Sequence, residues 1–399
     1  MSLTYPAGFA AAGLSAGLKR SGKLDLGLLV GEPGTTAAGV FTTNRVQAAP
    51  VHLSRSRLAI GRARAALVNS GQANAATGAR GVEDAERATA AAAAGIGLDP
   101  QEVLACSTGV IGEPIRMREL LSALPKLSAS LSVEGAKDFA RAILTTDTVT
   151  KEASARTPEF RVGGCAKGVG MIAPNLATML AFVTTDAPVA SGDLQRLALE
   201  HLAPSFNALT VDGCMSTNDT VLAFASGSAT SAVPLIEPGT PRWEALARSF
   251  GDVAASLARQ LLADGEGVQH VMQVDVEGAA SEEEARLIAR AVADSPLVKT
   301  AAFGGDPNPG RILQAVGAAG AQVDPSMVDV WIGDVQVVNG GVIPLGYFDD
   351  ASLMERARLA MGSAEIEIRV SIGDGSSRHR TLGADLTYDY VRINGEYTT

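Results

Sequence analysis

One run near the C-terminus constrains the fold more than any other feature of this chain. At residues 365–372, charged or hydroxyl-bearing side chains alternate strictly with isoleucine or valine. Because successive side chains of a β-strand point to opposite faces of the sheet, this run predicts a strand with one buried and one solvated face. Half-buried strands of this kind are typical of antiparallel sheets rather than of fully covered parallel ones.

Other strand-like runs alternate with helical patterns along all 399 residues, and they predict strands at 24–30, 37–43, 65–69, 220–226, 271–276 and 328–338. Capping signals begin two helices, at Asp99-Pro100 and at Ser281, with Glu284 three residues further on. More helices are expected at 81–95, 115–129, 134–144, 192–203, 242–263, 310–317 and 352–361. This order predicts an α+β fold with mixed, substantially antiparallel sheets and packed helices.

Charge and composition exclude several functional classes. The formal net charge is −10, and an acidic surface repels phosphate backbones, so we expect no nucleic-acid partner. No apolar run approaches the roughly 20 residues of a membrane-spanning helix, and no signal peptide is visible, so we expect a cytoplasmic protein without membrane attachment. The three cysteines and four histidines show no metal-binding spacing. We therefore predict neither a metal nor another cofactor.

The segment best suited to chemistry lies near mid-chain, at residues 161–186. Four glycines between Gly163 and Gly170 surround Lys167, and an apolar stretch follows with Thr178 near its start. Glycines let a backbone approach a ligand closely, and lysine supplies a charge for a carboxylate or a phosphate. The spacing alone favours an ordinary strand threonine over a nucleophile. A phosphate-binding loop is disfavoured because Gly168, rather than serine or threonine, follows the lysine.

The same stretch closely resembles the ornithine acetyltransferase family, also called glutamate N-acetyltransferase. Residues 167–180 match the family hallmark Lys-Gly-x-Gly-Met-[Ile/Leu]-x-Pro-x-x-Ala-Thr-Met-Leu at every position. Further matching blocks lie at 39–44, 69–71, 73–75, 77–78, 107–112, 145–148, 216–220, 306–308, 310–311 and 397–399. So many ordered blocks are more specific than any single motif. The resemblance implies the ornithine acetyltransferase or DmpA-like fold.

Members of this family cut themselves before the threonine of the hallmark, which here is the bond between Ala177 and Thr178. The resemblance therefore implies an α chain of residues 1–177 and a β chain of residues 178–399, assembled as two α and two β chains. Cleavage has a physical logic, because a threonine hydroxyl needs a nearby base to act as a nucleophile. Cutting turns the nitrogen of Thr178 into an α-amine with a reference pKa of about 7.7–8.0.

The resemblance also implies a reaction and a set of site residues. Thr178 would take the acetyl group of N2-acetyl-L-ornithine and pass it to L-glutamate, which gives L-ornithine and N-acetyl-L-glutamate for arginine biosynthesis. Thr108 and Gly109 match the oxyanion-stabilising pair of the family. The substrate-binding positions carried over are Thr145, Lys167, Thr178, Glu266, Asn394 and Thr399. Lys167 suits the α-carboxylate of the ligands, and Glu266 suits the ammonium of ornithine.

Several of these assignments have an ordinary structural alternative. Ser107-Thr108-Gly109 reads as a turn after a strand, Glu266 as a solvated acid, and Thr399 as part of a disordered tail. The sequence also departs from the family at Gln72, at Pro309 and at residues 268–270. Because residues 268–270 adjoin Glu266, they leave fine substrate preference open.

Two other functions compete with acetyl transfer. A self-cleaving aminopeptidase would use the same nucleophile with water as the acceptor. A catalytically silent homologue acting as a binding protein would be expected to lose Thr178 or the pair of Thr108 and Gly109, and all three are present. The residues do not decide whether acetyl-CoA is a second acetyl donor for glutamate.

Overall fold

The computed structural model describes residues 2–172, 179–228 and 234–396. Its strands are β1 (Phe9–Leu14), β2 (Leu26–Gly31), β3 (Thr36–Phe41), β4 (Ala65–Gln72), β5 (Val103–Val110), β6 (Lys151–Arg156), β7 (Arg161–Lys167), β8 (Leu180–Thr185), β9 (Leu209–Thr210), β10 (Thr220–Ala225), β11 (Val271–Ala279), β12 (Asp329–Ile332), β13 (Val335–Val338), β14 (Glu365–Ser371) and β15 (Ser377–Ala384). Its helices are α1 (Ala49–Ile60), α2 (Gly78–Ile96), α3 (Met117–Ala129), α4 (Ala136–Ala142), α5 (Ser191–Leu197), α6 (Ala203–Asn207), α7 (Pro241–Ala263), α8 (Glu282–Asp294), α9 (Pro296–Phe303), α10 (Pro309–Gly317), α11 (Ala351–Met361) and α12 (Tyr388–Glu396). A π-helical turn, Ala198–Leu202, joins α5 to α6.

The described strands form three sheets, with the orders β1-β2-β4-β5, β3-β10-β8-β7-β6 and β13-β12-β14-β11-β15-β9. Four strand pairs are parallel (β4–β5, β8–β10, β11–β14 and β9–β15), and the other pairs are antiparallel. The predicted α+β class with mixed, substantially antiparallel sheets is therefore confirmed.

The first two sheets pack face to face between layers of helices. Apolar side chains of β2, β4 and β5 meet those of β7, β8 and β10 in one core, where the rings of Phe139 and Phe182 lie 5.0 Å apart, edge to face. Helices α2 and α3 cover the outer face of the first sheet, and α5 and α7 cover the outer face of the second. The third sheet packs its buried face on α8 and α10. None of the described helices is long and apolar enough to cross a membrane.

The alternating run at 365–372 is confirmed as a half-buried strand. Ile366, Ile368 and Val370 of β14 are buried, while the polar residues between them are exposed. The single strand predicted at 328–338 is wrong, because the chain turns there and forms the antiparallel hairpin of β12 and β13. Gly333 in that turn has φ 57°, a left-handed conformation that glycine adopts without strain.

The helix predicted from Asp99 is a single 3₁₀ turn, Pro100–Glu102, followed at once by β5. The capping box itself is real, since the Asp99 side chain accepts the Gln101 amide and Glu102 accepts the Asp99 amide. The turn does not continue because the apolar residues after it pair in parallel with β4. Long-range pairing overrides a correct local signal.

The glycines before Lys167 serve packing rather than ligand binding. Gly163 and Gly164 are buried within β7, and a Cβ at Gly163 would lie 1.8 Å from the carbonyl oxygen of Ser2. The lack of a side chain at Gly163 lets the N-terminal segment cross β7 closely, and Gly164 leaves room for Val253 and Leu257 of α7. Gly168 and Gly170 come after the strand. Gly170 lines the pocket described next, and Gly168 donates its amide to Asp147 beside that pocket.

Candidate active site

One pocket gathers six of the residues singled out from the sequence: Thr108, Gly109, Thr145, Lys167, Glu266 and Asn394. Strands β5 and β7 end at this pocket, the loops after α4 and α7 enter it, and α12 closes one side. Residues as far apart in sequence as 108 and 394 therefore meet. Three further predicted residues, Ala177, Thr178 and Thr399, lie outside the described residues.

Lys167 and Thr108 are joined on the pocket wall. Lys167 is buried, and its Nζ donates to Oγ1 of Thr108 at 3.0 Å. Burial lowers the pKa of Lys167, and the nearby Asp147 carboxylate acts in the opposite direction. Because the hydroxyl oxygen of Thr108 accepts a hydrogen bond from the ammonium of Lys167, its own hydrogen is free to be donated into the pocket. The pair can thus stabilise negative charge on a bound acyl oxygen.

Gly109 occupies a position that a side chain would strain. Its φ is 130°, and it faces Gly71 across the parallel pair of β4 and β5. A Cβ there would lie 2.3 Å from the carbonyl carbon of Gly71. The close approach of β4 therefore requires glycine at position 109, and this residue also lines the pocket.

Asp147 ties the loop after α4 to the glycine segment, although the sequence reasoning gave it no role. Its carboxylate accepts the amides of Thr145 at 2.9 Å and Gly168 at 2.8 Å, and it accepts Lys151 Nζ at 2.5 Å. Burial alone would raise its pKa, but Lys167 and Lys151 lower the pKa to about 2. Asp147 therefore remains an anion that fixes two walls of the pocket. The signal for it was its place in the matching block 145–148.

Glu266 is held by two side chains that come from distant parts of the chain. Its Oε1 accepts the hydroxyl of Thr146 at 2.9 Å, and its Oε2 accepts Nδ2 of Asn394 at 2.9 Å. Only 9% of Glu266 is exposed, so the solvated-acid alternative does not describe it. A Cβ at Gly170 would lie 2.4 Å from Oε2, so glycine at this position leaves room for the carboxylate. Each carboxylate oxygen can accept more than one hydrogen bond, so Glu266 can also bind a ligand cation.

The opposite wall comes from the block 216–220. Asn218 donates its amide to the carbonyls of Ala73 at 2.6 Å and Ser107 at 2.8 Å, which fixes this block against the end of β5. Asp219 is fully buried, and its Oδ1 accepts the amide of Met179 at 3.1 Å. Burial raises the pKa of Asp219 well above its ordinary value. A carboxyl group therefore contacts the residue that directly follows Thr178.

Within the described parts of the chain, no group of His, Cys, Asp and Glu side chains could hold a metal ion. The polar groups of the pocket are instead an ammonium, a carboxylate, hydroxyls and amides. This set suits a ligand that carries both a carboxylate and an ammonium group.

Comparisons with known proteins agree on one family. The ArgJ family matches residues 10–399. The chain is 46% identical to the arginine biosynthesis bifunctional protein ArgJ of Parasynechococcus marenigrum, over 100% of this chain and 95% of that protein. It is 45% identical to the protein of the same name from Symbiobacterium thermophilum, over 100% of this chain and 98% of that one.

A solved structure of ornithine acetyltransferase from Mycobacterium tuberculosis, complexed with ornithine, is 43% identical. That match covers 43% of this chain and 94% of the other chain, with a TM-score of 0.43. The family match extends over almost the whole sequence, and the protein belongs to the ArgJ family.

Proposed function

We propose that this protein is a glutamate N-acetyltransferase of arginine biosynthesis. It transfers the acetyl group of N2-acetyl-L-ornithine to L-glutamate through an acetyl ester on Thr178. The observation that carries this proposal is the convergence of Thr108, Gly109, Lys167 and Glu266 on one pocket in a member of the ArgJ family. An oxyanion site, a buried cation and a buried carboxylate are what this reaction needs.

In the first half-reaction, Lys167 pairs with the α-carboxylate of N-acetylornithine and Glu266 pairs with its side-chain ammonium. The hydroxyl of Thr178 attacks the acetyl carbonyl while its α-amine takes the hydroxyl proton. The hydroxyl of Thr108 and the amide of Gly109 donate to the tetrahedral oxyanion. The C–N bond then breaks, the proton passes to the leaving nitrogen, and ornithine departs.

In the second half-reaction, glutamate occupies the position that ornithine leaves. Its α-carboxylate pairs again with Lys167, and its amine attacks the acetyl ester of Thr178. Thr145, Asn394 and Thr399 complete the binding residues of this proposal. Since both substrates present a carboxylate to the same lysine, they bind in turn, and the enzyme follows ping-pong kinetics.

The proposal includes maturation by cleavage between Ala177 and Thr178, which frees the α-amine that the mechanism uses. It further includes assembly of two α chains (residues 1–177) with two β chains (residues 178–399), and a cytoplasmic location. The match to the ArgJ family supports acetyl transfer and does not support the aminopeptidase alternative.

Intact-mass spectrometry tests the proposal. Incubation with N-acetylornithine alone should release ornithine and add one acetyl group to residue 178 of the β chain, and glutamate should then remove it. Thr178→Ala should abolish cleavage and transfer, whereas Thr300→Ala, at an exposed threonine of α9, should change neither. Acetyl transfer by Thr178→Ala, or full activity of an uncut chain, would contradict the assignment.

A further inference from the structure

A buried lysine outside the pocket joins two of the segments that form it. Lys151, the first residue of β6, is 0% exposed, and it is not among the residues that line the pocket. Its ammonium pairs with two carboxylates, Oδ1 of Asp147 at 2.5 Å and Oδ2 of Asp264. Lysine is almost never buried completely without such partners. The proposed mechanism assigns no step to this ion triad, which we define as Lys151, Asp147 and Asp264.

The ion triad fixes the segment before β6 to the end of α7. Asp264 follows the last residue of α7, and its carboxylate accepts both the amide of Thr148, at 3.0 Å, and the hydroxyl of the same residue. Two positions after Asp264 lies Glu266, and two positions before Thr148 lies Thr146. The ion triad therefore supports the hydrogen bond of 2.9 Å that Thr146 donates to Glu266 inside the pocket.

Asp147 brings the charge of Lys151 close to that of Lys167. One oxygen of Asp147 accepts both Nζ of Lys151 and the amide of Gly168, the residue that follows Lys167. Although burial favours the neutral acid, Lys167 and Lys151 together lower the pKa of Asp147 to about 2. Two buried ammonium groups thus share one buried carboxylate. Lys151 is hydrogen-bonded to that carboxylate, whereas Lys167 donates to Thr108 instead.

This division leaves the ammonium of Lys167 available to a ligand. Within the described residues, Thr108 is the only hydrogen-bond acceptor of Lys167 Nζ, and an ammonium carries three N–H donors. Without the charge of Lys151, the buried carboxylate of Asp147 would be compensated by Lys167 alone. Because an unpaired buried charge is strongly unfavourable, Lys167 would then pair with Asp147. That internal ion pair would compete with the α-carboxylate of the substrate.

We propose that Lys151 is a positioning residue for both amino-acid substrates. It keeps Lys167 free for the ligand carboxylate through Asp147, and it holds the segment before β6 through Asp264. The inference rests on the proposed function, because it takes Lys167 as the partner of the α-carboxylate. Lys151 touches neither the substrate nor the reacting atoms, and it acts only through other side chains. Because N-acetylornithine and glutamate share the α-carboxylate, Lys151 affects them alike, whereas Glu266 distinguishes them.

The charges around Lys167 predict a dependence on pH. The charged groups that face it are Lys19 from the β1–β2 loop, Asp147 from the loop after α4, Lys151 from β6, Asp219 from the loop before β10 and Glu266 from the loop after α7. Burial lowers the pKa of Lys167, the carboxylates raise it, and the ammonium of Lys151 lowers it. Removing the charge of Lys151 should therefore raise this pKa. Since Lys167 binds a carboxylate only while it is protonated, kcat/KM for N-acetylornithine should then persist to a higher pH before it falls.

The test is Lys151→Gln, which removes the charge and keeps an N–H donor for Asp147. The KM values for N-acetylornithine and for glutamate should both rise roughly tenfold, with kcat changed less, because a competing ion pair weakens the contact with the carboxylate. Lys151→Arg keeps the charge and should stay near the wild type. Lys299→Gln is the matched control, because Lys299 is also buried but donates to the carbonyl of Val211 at 2.6 Å and does not line the pocket. It should unfold at a lower urea concentration and keep both KM values.

A double variant, Lys151→Gln with Asp147→Asn, shows whether charge is the cause. In the Asp147→Asn background, the carboxylate that would capture Lys167 is absent, so adding Lys151→Gln should raise neither KM much further. A purely structural role of Lys151 would instead add its full effect. The double variant also decides the inference if Lys151→Gln alone does not fold, because it removes the unpaired buried carboxylate and should fold.

Three results would overturn the inference: unchanged KM values in Lys151→Gln, an alkaline limit of kcat/KM that does not move in that variant, and a double variant that does not fold or that shows the full rise in KM. A wild type that transfers no acetyl group would contradict the proposed function instead. Calorimetry with ornithine would then still decide the inference, because ornithine presents the same α-carboxylate to Lys167. Lys151→Gln should bind ornithine roughly tenfold more weakly than the wild type, and equal binding would contradict the role of Lys151.

Discussion

Glu266→Gln is the sharpest test of how the pocket selects ornithine. The substitution keeps the size of the side chain and removes its charge. In the wild type, the two carboxylate oxygens accept hydrogen bonds from Thr146 and Asn394, each at 2.9 Å. A glutamine can keep one oxygen as an acceptor, and the hydroxyl of Thr146 can turn to accept from the new amide. The pocket should therefore keep its shape while it loses its partner for the ornithine ammonium.

The expected loss follows from the lost ion pair. A hydrogen bond to a charged group contributes about 1.5–3 kcal/mol, which corresponds to a roughly 10- to 150-fold fall in kcat/KM for N-acetylornithine. The half-reaction with glutamate should not fall, because glutamate has no side-chain ammonium. Removing the negative charge of Glu266 near the side-chain carboxylate of glutamate should favour glutamate binding.

The assay separates the two half-reactions. Rapid quench with N-acetylornithine alone measures formation of the acetyl-enzyme, and addition of glutamate to the isolated acetyl-enzyme measures its decay. Glu134→Gln, at an exposed position before α4, is a matched control with the same chemical change. The reasoning is refuted if Glu266→Gln slows both half-reactions equally, or if it behaves like Glu134→Gln with N-acetylornithine.

Three further predictions concern the same site. Gly170→Ala should raise KM for N-acetylornithine more than for glutamate, because its Cβ would lie 2.4 Å from Oε2 of Glu266; equal effects in steady-state kinetics would count against this reading. The pKa of Asp147 is lowered to about 2 from 3.8, so its carboxylate should stabilise the fold fully above pH 3.8. The free energy of unfolding should then fall by about 2 kcal/mol as the pH falls towards 2. Urea unfolding at several pH values should show this loss in the wild type and less of it in Asp147→Asn. Initial rates with N-acetylornithine and glutamate should give parallel double-reciprocal plots, and intersecting plots would indicate direct transfer in a ternary complex.

The sequence predicts those elements whose pattern is local and strong. The strict alternation of β14 and the serine cap of α8 both appear in the structure as expected. Elements with weaker patterns escaped prediction. The alanine-rich β1 (Phe9–Leu14) has a composition that suits a helix as well as a strand, and its pairing with β2 decides the outcome.

The same distinction holds within the candidate site. The site residues predicted from the sequence were identified by their resemblance to family motifs. Composition alone would have predicted that Glu266 is a solvated acid. Thr146 and Asp147 escaped because their roles depend on contacts across the fold: Thr146 reaches Glu266, 120 positions away, and Asp147 reaches Gly168, 21 positions away. Contacts between residues so far apart in sequence do not change the local periodicity or the spacing of motifs, so neither of these patterns predicts them.

The proposed cleavage before Thr178 would divide the strands of the second sheet between two fragments. Strands β3, β6 and β7 precede that bond, whereas β8 and β10 follow it. β8 lies between β7 and β10, and β10 pairs with β3, so two strands of the second fragment lie between strands of the first in one sheet. The start of β8 is also fixed within the β chain, since Thr220 donates its amide to the carbonyl of Met179. Cutting the chain therefore removes one covalent bond and none of these strand pairings.

Separating the two fragments would expose the backbone edges of β7 and β8 and the apolar core around Phe182, at a large cost in free energy. We therefore predict that the fragments 1–177 and 178–399 elute together in native size-exclusion chromatography and separate only in denaturant. Thr178→Ala should remain one chain under both conditions. An active fragment 178–399 that elutes alone would contradict this reasoning, because the oxyanion pair and Lys167 belong to the other fragment.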